Sequence, residues 1–555
     1  MTSLRAAQFH SARATLAMLL LLTVLSTQLV LLVRGASAKD YTLKSLQHNI
    51  DLSGSTTSIS EVHEVELNSP ELYANDPPVY HFLLSAEKAR GLSWMECTAK
   101  LGAGMQSTDR AILPVKRHLS PDASGLSSLD NATNAPGVHF QPTSTPHLFS
   151  IDLPPRFFQK QHPEEPIPSL VLQINYVTLH QSEPLPKAVA QKEEMFLHWT
   201  GDAVPLAFYG ANKARTKIRT STPKVLSHSI SPATGSSPKA ENADSEATKS
   251  GAAITYGPWI SVPSFSDSPS LALESRRAAS VHYKHDAPVI SVVRADRHVE
   301  ISHWGDNLAI DDQLWLRNDG PKLKGHFSRI EHQMAQMYNR DNSHTLNSLL
   351  LHLPPGAKDA YFVDAIGNIS TSHFRPTPNA PQYIHTAPHK LAAHRASSLD
   401  LVPRYPLLGG WNFTFSIGYH LNLAKGSWGK RVLVDGQERY SVAVPFLTPI
   451  TDVAVDSART TIVLPEGAKD ITYAAPFLLD SVAQSIYTTY LDSTGRPSVV
   501  LERKACSDHH GRNVFVTYKL DKKDHYRKPA VITAVFFAAF LGAALARRFE
   551  ARIKT

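Results

Sequence analysis

Leu172-Gln173-Ile174-Asn175-Tyr176 alternates large apolar side chains with amides. Successive side chains of an extended chain point to opposite faces, so this period of two predicts a half-buried β-strand. Val514, Val516 and Tyr518 repeat the pattern near the other end of the chain. Throughout the body, short β-branched or aromatic runs are separated by glycines and by many of the 38 prolines, the punctuation of strands and turns. No long amphipathic helical period interrupts them. The expected fold class is therefore mainly β, in antiparallel sandwich-like domains. A chain of 555 residues with 42% hydrophobic content exceeds what one core covers, roughly 250 to 300 residues, so two tandem domains are expected.

A boundary is expected at 219–252, where Ser, Thr, Ala, Pro, Lys and Glu crowd together and only Val225, Leu226 and Ile230 are large and apolar. So little apolar surface cannot offset ordering entropy, which predicts a flexible linker or loop between β-domains at 39–218 and 253–526. Within the second domain, Leu353-Pro-Pro-Gly-Ala-Lys-Asp359 recurs as Leu464-Pro-Glu-Gly-Ala-Lys-Asp470, differing only at Pro355 against Glu466. Each copy follows one apolar stretch and precedes another, so each reads as a corner between two strands.

Both ends carry apolar runs. Arg5 and Arg13 precede the run Ala14 to Val33, and Ala36-Ser37-Ala38 supplies the small residues that a signal peptidase accepts, placing cleavage between Ala38 and Lys39. An uncleaved anchor is the competing reading, and either one sends the chain into the secretory system. Near the other end, Pro529 to Ala546 carries no charge and matches, at ~1.5 Å per residue, the roughly 30 Å of a hydrocarbon core. Arg547, Arg548, Arg552 and Lys554 follow it, but Lys519, Lys522, Lys523, Arg527 and Lys528 precede it. Charge alone therefore leaves orientation open, and the signal peptide settles it: body in the lumen, residues 547–555 in the cytosol. A lipid-anchor signal would end in its apolar run, whereas this chain continues past it with basic residues. Ala534, Ala538, Gly542 and Ala546 recur every four residues and line one helix face, where small side chains let a partner helix approach.

The net charge of +7 is scattered and forms no basic stripe with interleaved aromatics, which argues against nucleic-acid binding. Two cysteines, Cys97 and Cys506, leave a disulfide open but exclude a disulfide framework. Asp306, Asp311 and Asp312 form an acidic cluster that reads as a solvated loop in preference to a metal site. His385, His389 and His394 are interrupted by Pro388, and His509-His510 beside Cys506 reads as a surface turn, so no metal or other cofactor is expected. Nor is there a Gly-x-Ser-x-Gly elbow or a Gly-rich phosphate loop. The sequons beginning at Asn131, Asn368 and Asn412 lie between the two apolar runs, where a lumenal transferase could reach them.

The second copy of the repeat, Thr460 to Ile471, together with Tyr490-Leu-Asp-Ser-Thr-Gly-Arg-Pro497, resembles ribophorin I, a subunit family of the oligosaccharyltransferase complex. Tyr256-Gly-Pro258, Val299-Glu-Ile-Ser-His-Trp-Gly305, Leu323-Lys-Gly325, Phe327-Ser-Arg329, Ile366-Gly-Asn-Ile-Ser-Thr-Ser-His373 and Arg404-Tyr-Pro-Leu-Leu-Gly-Gly-Trp411 are similar to family sequence in the family's order. Lys39 to about Lys213 matches chiefly in topology and strand content. The resemblance implies a role in moving a preassembled oligosaccharide from dolichyl diphosphate to Asn in Asn-x-Ser/Thr sequons in the endoplasmic reticulum. It also implies that the chemistry resides in a different, many-spanning, metal-holding subunit, with this chain a lumenal scaffold whose helix sits among the helices of its partners. The family's own sequon falls in the block holding Asn368, which makes that site the first expected to carry a glycan. Animal members continue into a cytosolic helical bundle, whereas this sequence stops at Thr555, as expected of a short-tailed, fungal-like form. Composition and topology alone fit a free-standing lumenal receptor or chaperone-like protein equally well; the family blocks favour the scaffold.

Overall fold

The structure is a computed structural model of the chain. It describes residues 40–68, 79–101, 111–118, 146–157, 170–233, 235, 237–241, 246–338, 344–378, 396–434, 436–448, 450–489, 492 and 494–548. The signal segment with Ala38 and Lys39, the sequon residue Asn131, and His385, His389 and His394 lie outside the described residues. Two compact units emerge: one up to Leu52 with Thr57–Thr178 and Trp199–His282, the other of Ser53–Thr56, Leu179–His198 and the chain from Tyr283 on.

The first unit is organised by β1 (Tyr41–Leu52), β2 (Thr57–Leu67), β3 (Leu92–Leu101), β4 (Leu170–Thr178), β5 (Ala211–Thr220) and β6 (Ala253–Val262), in the spatial order β6-β5-β1-β2-β4-β3. All neighbours are antiparallel except β1 and β5, which run parallel. The expected alternation is present in β4, where Leu172, Ile174 and Tyr176 are buried and Gln173 and Asn175 are half-buried.

The second unit repeats this plan. Its strands β7 (Ile290–Ser302), β8 (Asn307–Asn318), β9 (Lys358–Asp364), β10 (Asn412–Asn422), β11 (Ala454–Val463) and β12 (Arg496–Cys506) lie in the order β12-β11-β7-β8-β10-β9. Here too only the pair β7 and β11 is parallel. Chain order, spatial order and strand direction are the same in both units. A sheet made of Gly429–Val434, Gln437–Pro445, Asn513–Lys519 and Lys469–Ala474, and another of Leu349–Leu353, Ser397–Leu401 and His373–Arg375, share one apolar core with it. That core includes Val299, Leu308, Leu351, Leu399, Val442 and Val516. Inward-facing apolar side chains from facing sheets are what hold a β-sandwich together.

The correspondence extends to a buried charge. In the first unit His48 on β1 stands opposite Glu61 on β2, with Thr216 of β5 on its other side. In the second, Arg297 on β7 stands opposite Asp312 on β8, with Thr460 of β11 on its other side. All six side chains are buried. Each central hairpin thus carries a buried carboxylate facing a basic side chain across the strands, a guanidinium in the second unit and an imidazole in the first.

Three expectations need correction. Segment 219–252 is not a linker: Val225–Ile230 lies beside Ala278–Lys284 in one sheet, and Ala247–Ser250 pairs with β6. Its strands take their backbone hydrogen bonds from neighbours and need little core of their own, which is why apolar content alone misled. The first unit accordingly runs on to His282 instead of ending near 218. The acidic trio is no solvated loop either. Asp311 and Asp312 belong to β8, Asp312 is only 1% exposed, and Asp306 closes the β7–β8 turn with a φ of 48° while accepting from Ala424 N at 2.7 Å. Lastly, His510 is buried in a capped turn, accepting from Ser507 N at 3.2 Å through Nδ1 and packing on Phe477. Burial pushes it down to about 3.

The repeated heptapeptides do form corners between strands. Gly356 and Gly467 have φ of 77° and 85°, and Asp359 and Asp470 have φ of 50° and 52°. Ala357 N donates to Pro354 O, and Ala468 N to Pro465 O, both at 3.2 Å. Both cysteines are free and buried, and burial pushes each thiol up to about 12, which makes them poor nucleophiles.

Candidate membrane-proximal site

The helix Lys522–Arg548 starts three residues after the strand Asn513–Lys519 and is long and apolar enough to cross a membrane. A helix joined to a body by so short a connection can still swivel, unless side chains hold its first turns. Three sets of contacts from the second unit hold them.

The first is the tip of the β7–β8 hairpin. Trp304 lies flat on His525, ring centroids 4.7 Å apart and planes 4° from parallel, and its Nε1 donates to His525 O at 3.0 Å. Tyr526 meets the indole edge-on at 5.9 Å. Neighbouring His303 shares a 2.6 Å hydrogen bond with Tyr518; burial, helped by His525 and Arg431, pushes it down to about 4, so it is neutral at pH 7.

The second is the corner Leu464–Asp470. Glu466, the one position where the two heptapeptides differ, is 7% exposed and lies 3.9 Å from Lys528. It also accepts from the backbone N and Oγ1 of Thr494 at 2.7 and 2.9 Å. Gly467 comes so close to the helix that a Cβ there would lie 2.5 Å from that of Asp524. Lys469 adds ion pairs to Asp521 at 3.1 Å and Asp524 at 3.2 Å. The corner without a helix to hold has proline where this one has a carboxylate.

The third is Asp492, hydrogen-bonded to Lys528 and to Thr489. Burial alone would raise its carboxyl, but Lys528 and Thr489 hold it below the usual carboxylate range. Behind these, Arg496 bridges Glu300 at 2.8 Å and the carbonyls of Ile301 and Leu464. Among the described residues, no three His, Cys, Asp or Glu side chains gather as a metal site. Together these contacts tie the first turns of the apolar helix to the β-sandwich of the second unit.

A family sequence model described as Ribophorin I matches residues 41–547, which takes in both units and the membrane helix. The chain belongs to the ribophorin I family. Among curated relatives, the dolichyl-diphosphooligosaccharide–protein glycosyltransferase subunit 1 of Caenorhabditis elegans is 32% identical over 305 residues, 54% of this chain and 46% of that protein. Subunit 1B of Arabidopsis thaliana is 31% identical over 384 residues, 68% of this chain and 72% of its own length, and subunit 1B of Oryza sativa subsp. japonica is 30% identical over 379. The match thus spans less than half of the nematode protein and about seven tenths of the plant ones.

For this ribophorin I family member, the motif Val299–Gly305 belongs to the helix clamp, since it contains Glu300, His303 and Trp304. Sequence reading placed that motif in the family but missed what it holds, because its partner His525 lies 221 residues away. Asn368 and Asn412 are both exposed, the former in an isolated β-bridge to Val363 just after β9 and the latter at the start of β10. Ala534, Ala538, Gly542 and Ala546 lie on the exposed helix, and nothing stands within 4 Å of a Cβ built at Gly542.

Proposed function

We propose that this chain is a non-catalytic scaffold subunit of the oligosaccharyltransferase of the endoplasmic reticulum membrane. Its β-body faces the lumen, and its single helix seats it among the helices of a many-spanning catalytic subunit. The observation that carries the reading is the family match running unbroken through both β-units and the membrane helix, in relatives named as subunit 1 of that glycosyltransferase. A clamped helix supports it, since a scaffold transmits position only if its anchor cannot swivel. Affinity purification of the full chain in mild detergent tests the reading. Co-isolation of a polytopic transferase subunit is expected, and a clean monomer would overturn it in favour of a free-standing receptor.

Two further expectations follow. Replacing Ala538 and Gly542 with leucine keeps the helix apolar enough to insert but fills the small-residue face, where close packing drives association in lipid. Insertion should survive while the complex falls apart at lower detergent concentration; co-purification equal to wild type would exclude this face as the seat. Asn368→Gln should remove one glycan-sized mass increment from the secretory-pathway protein, and an unchanged intact mass would show that the site is unoccupied.

A further inference from the structure

Beside the clamp lies a groove of about 640 Å³, a size typical of small-ligand sites. Glu300, Glu466 and Arg496 line its body-side part, Trp304, Asp524, His525 and Lys528 its middle, and Pro529, Ile532 and Thr533 its far lip. The last three belong to the apolar run of the helix, so the groove continues from the β-sandwich onto the part of the chain that faces acyl chains.

We propose that this groove binds the headgroup of one zwitterionic phospholipid from the leaflet next to the β-body. The groove lies at headgroup depth. The helix has 27 residues, or roughly 40 Å at ~1.5 Å per residue, against a hydrocarbon core of about 30 Å. The turns from Lys522 to Lys528 therefore stand at headgroup level. Exposed Trp304 and Tyr526 lie beside them, as amphipathic rings do at a membrane surface.

Charge selects the headgroup. The lining holds three carboxylates, Glu300, Glu466 and Asp524, and two fixed cations, Arg496 and Lys528, while His303 is neutral. A net-anionic headgroup would meet carboxylates in excess; a phosphate ester of an amino alcohol carries both signs and can answer both. His525 covers one face of the indole of Trp304, yet the residue remains 59% exposed. Indole is the aromatic ring that best attracts an ammonium group. The polarity gradient from Glu466 to Ile532 matches a lipid lying with its head inward and its chains along the helix.

The test uses the full-length chain in nanodiscs of equal parts phosphatidylcholine and phosphatidylglycerol, released into detergent for native mass spectrometry. One retained phosphatidylcholine is expected, with retention falling at least tenfold in Trp304→Ala and in Ile532→Trp. Ile532→Trp fills the lip from the helix side without touching the β-core, so it decides the matter alone if thermal melting shows that Trp304→Ala fails to fold. Asn368→Gln, remote from the groove, should retain lipid as wild type does. No retained lipid, equal or preferential retention of phosphatidylglycerol, or unchanged retention in Ile532→Trp would overturn the proposal. So would a groove empty in the isolated chain but shielded in an assembled complex, which would mark it as a protein contact.

Discussion

Asp312→Ala should destabilise the second unit by about 3–5 kcal/mol, the usual cost of stranding one partner of a buried ion pair. Domains have only about 5–15 kcal/mol in all, so a large share of the stability would go. Arg297 donates to Asp312 from Nε at 2.6 Å and from Nη2 at 2.7 Å, and from Nη1 to Pro445 O at 2.6 Å. Arg297 is 3% and Asp312 1% exposed, so no water can replace the lost carboxylate. The measurement is the denaturant midpoint of the second unit's transition in the full chain. Replacing both residues together, Arg297→Met with Asp312→Leu, should recover most of the loss, because a well-packed apolar pair avoids desolvating two charges. A single Asp312→Ala variant with an unshifted midpoint would mean that the pair is solvated.

In the first unit the equivalent pair should make stability depend on pH. Tyr176 donates to Glu61 at 2.6 Å, His63 lies 3.3 Å from it, and His48 is 3.6 Å away. Lys88 stands between His48, at 3.4 Å, and Asp202, at 3.7 Å. Burial, with Lys88 adding to it, pushes His48 down from 6.5 to about 4. Burial would raise Glu61, but His48 and His63 hold it down at about 2 against 4.5. Both depressed values act in the same direction: the unfolded chain takes up protons at a pH where the folded unit does not. The His48 contribution is present above pH 6.5 and is lost on falling towards 4; that of Glu61 is present above 4.5 and is lost on falling towards 2. Because the two groups titrate as a coupled pair, the loss is shared between them, on the order of a few kcal/mol in all. The first unit should therefore lose stability in two stages on acidification, read from its melting temperature across pH 7 to 2. His48→Gln should abolish the upper stage; a pH-independent melting temperature between 7 and 4 in the wild type would refute the assignment.

What could be read from the sequence was whatever depends on near neighbours. Alternation in β4 and in Asn513–Lys519 announced strands because a pleated chain repeats every two residues. The heptapeptides announced corners because glycine at positive φ and the adjacent proline act within a few bonds. The apolar run from Pro529 announced a membrane helix because the bilayer responds to composition and length. Segment 219–252 failed this reading, since its strands depend on edges supplied by residues elsewhere in the chain. Asp312 failed it too: beside Asp311 it looked like part of a solvated cluster, and only the partner on the adjacent strand shows it to be a buried ion.

By itself the sequence determined the strand-rich character, the corners, the apolar C-terminal helix and, through its blocks of resemblance, the family. Only the tertiary structure decided that two units with little evident sequence likeness share one strand order and one buried carboxylate opposite a basic side chain in the central hairpin. It alone decided that Glu466 and Trp304 grip the root of the membrane helix. Both depend on residues far apart in the chain meeting across a sheet or a groove. A sequence pattern records which side chains are present and at what local period, whereas strand order and cross-strand partners are set by how the sheets close on their cores.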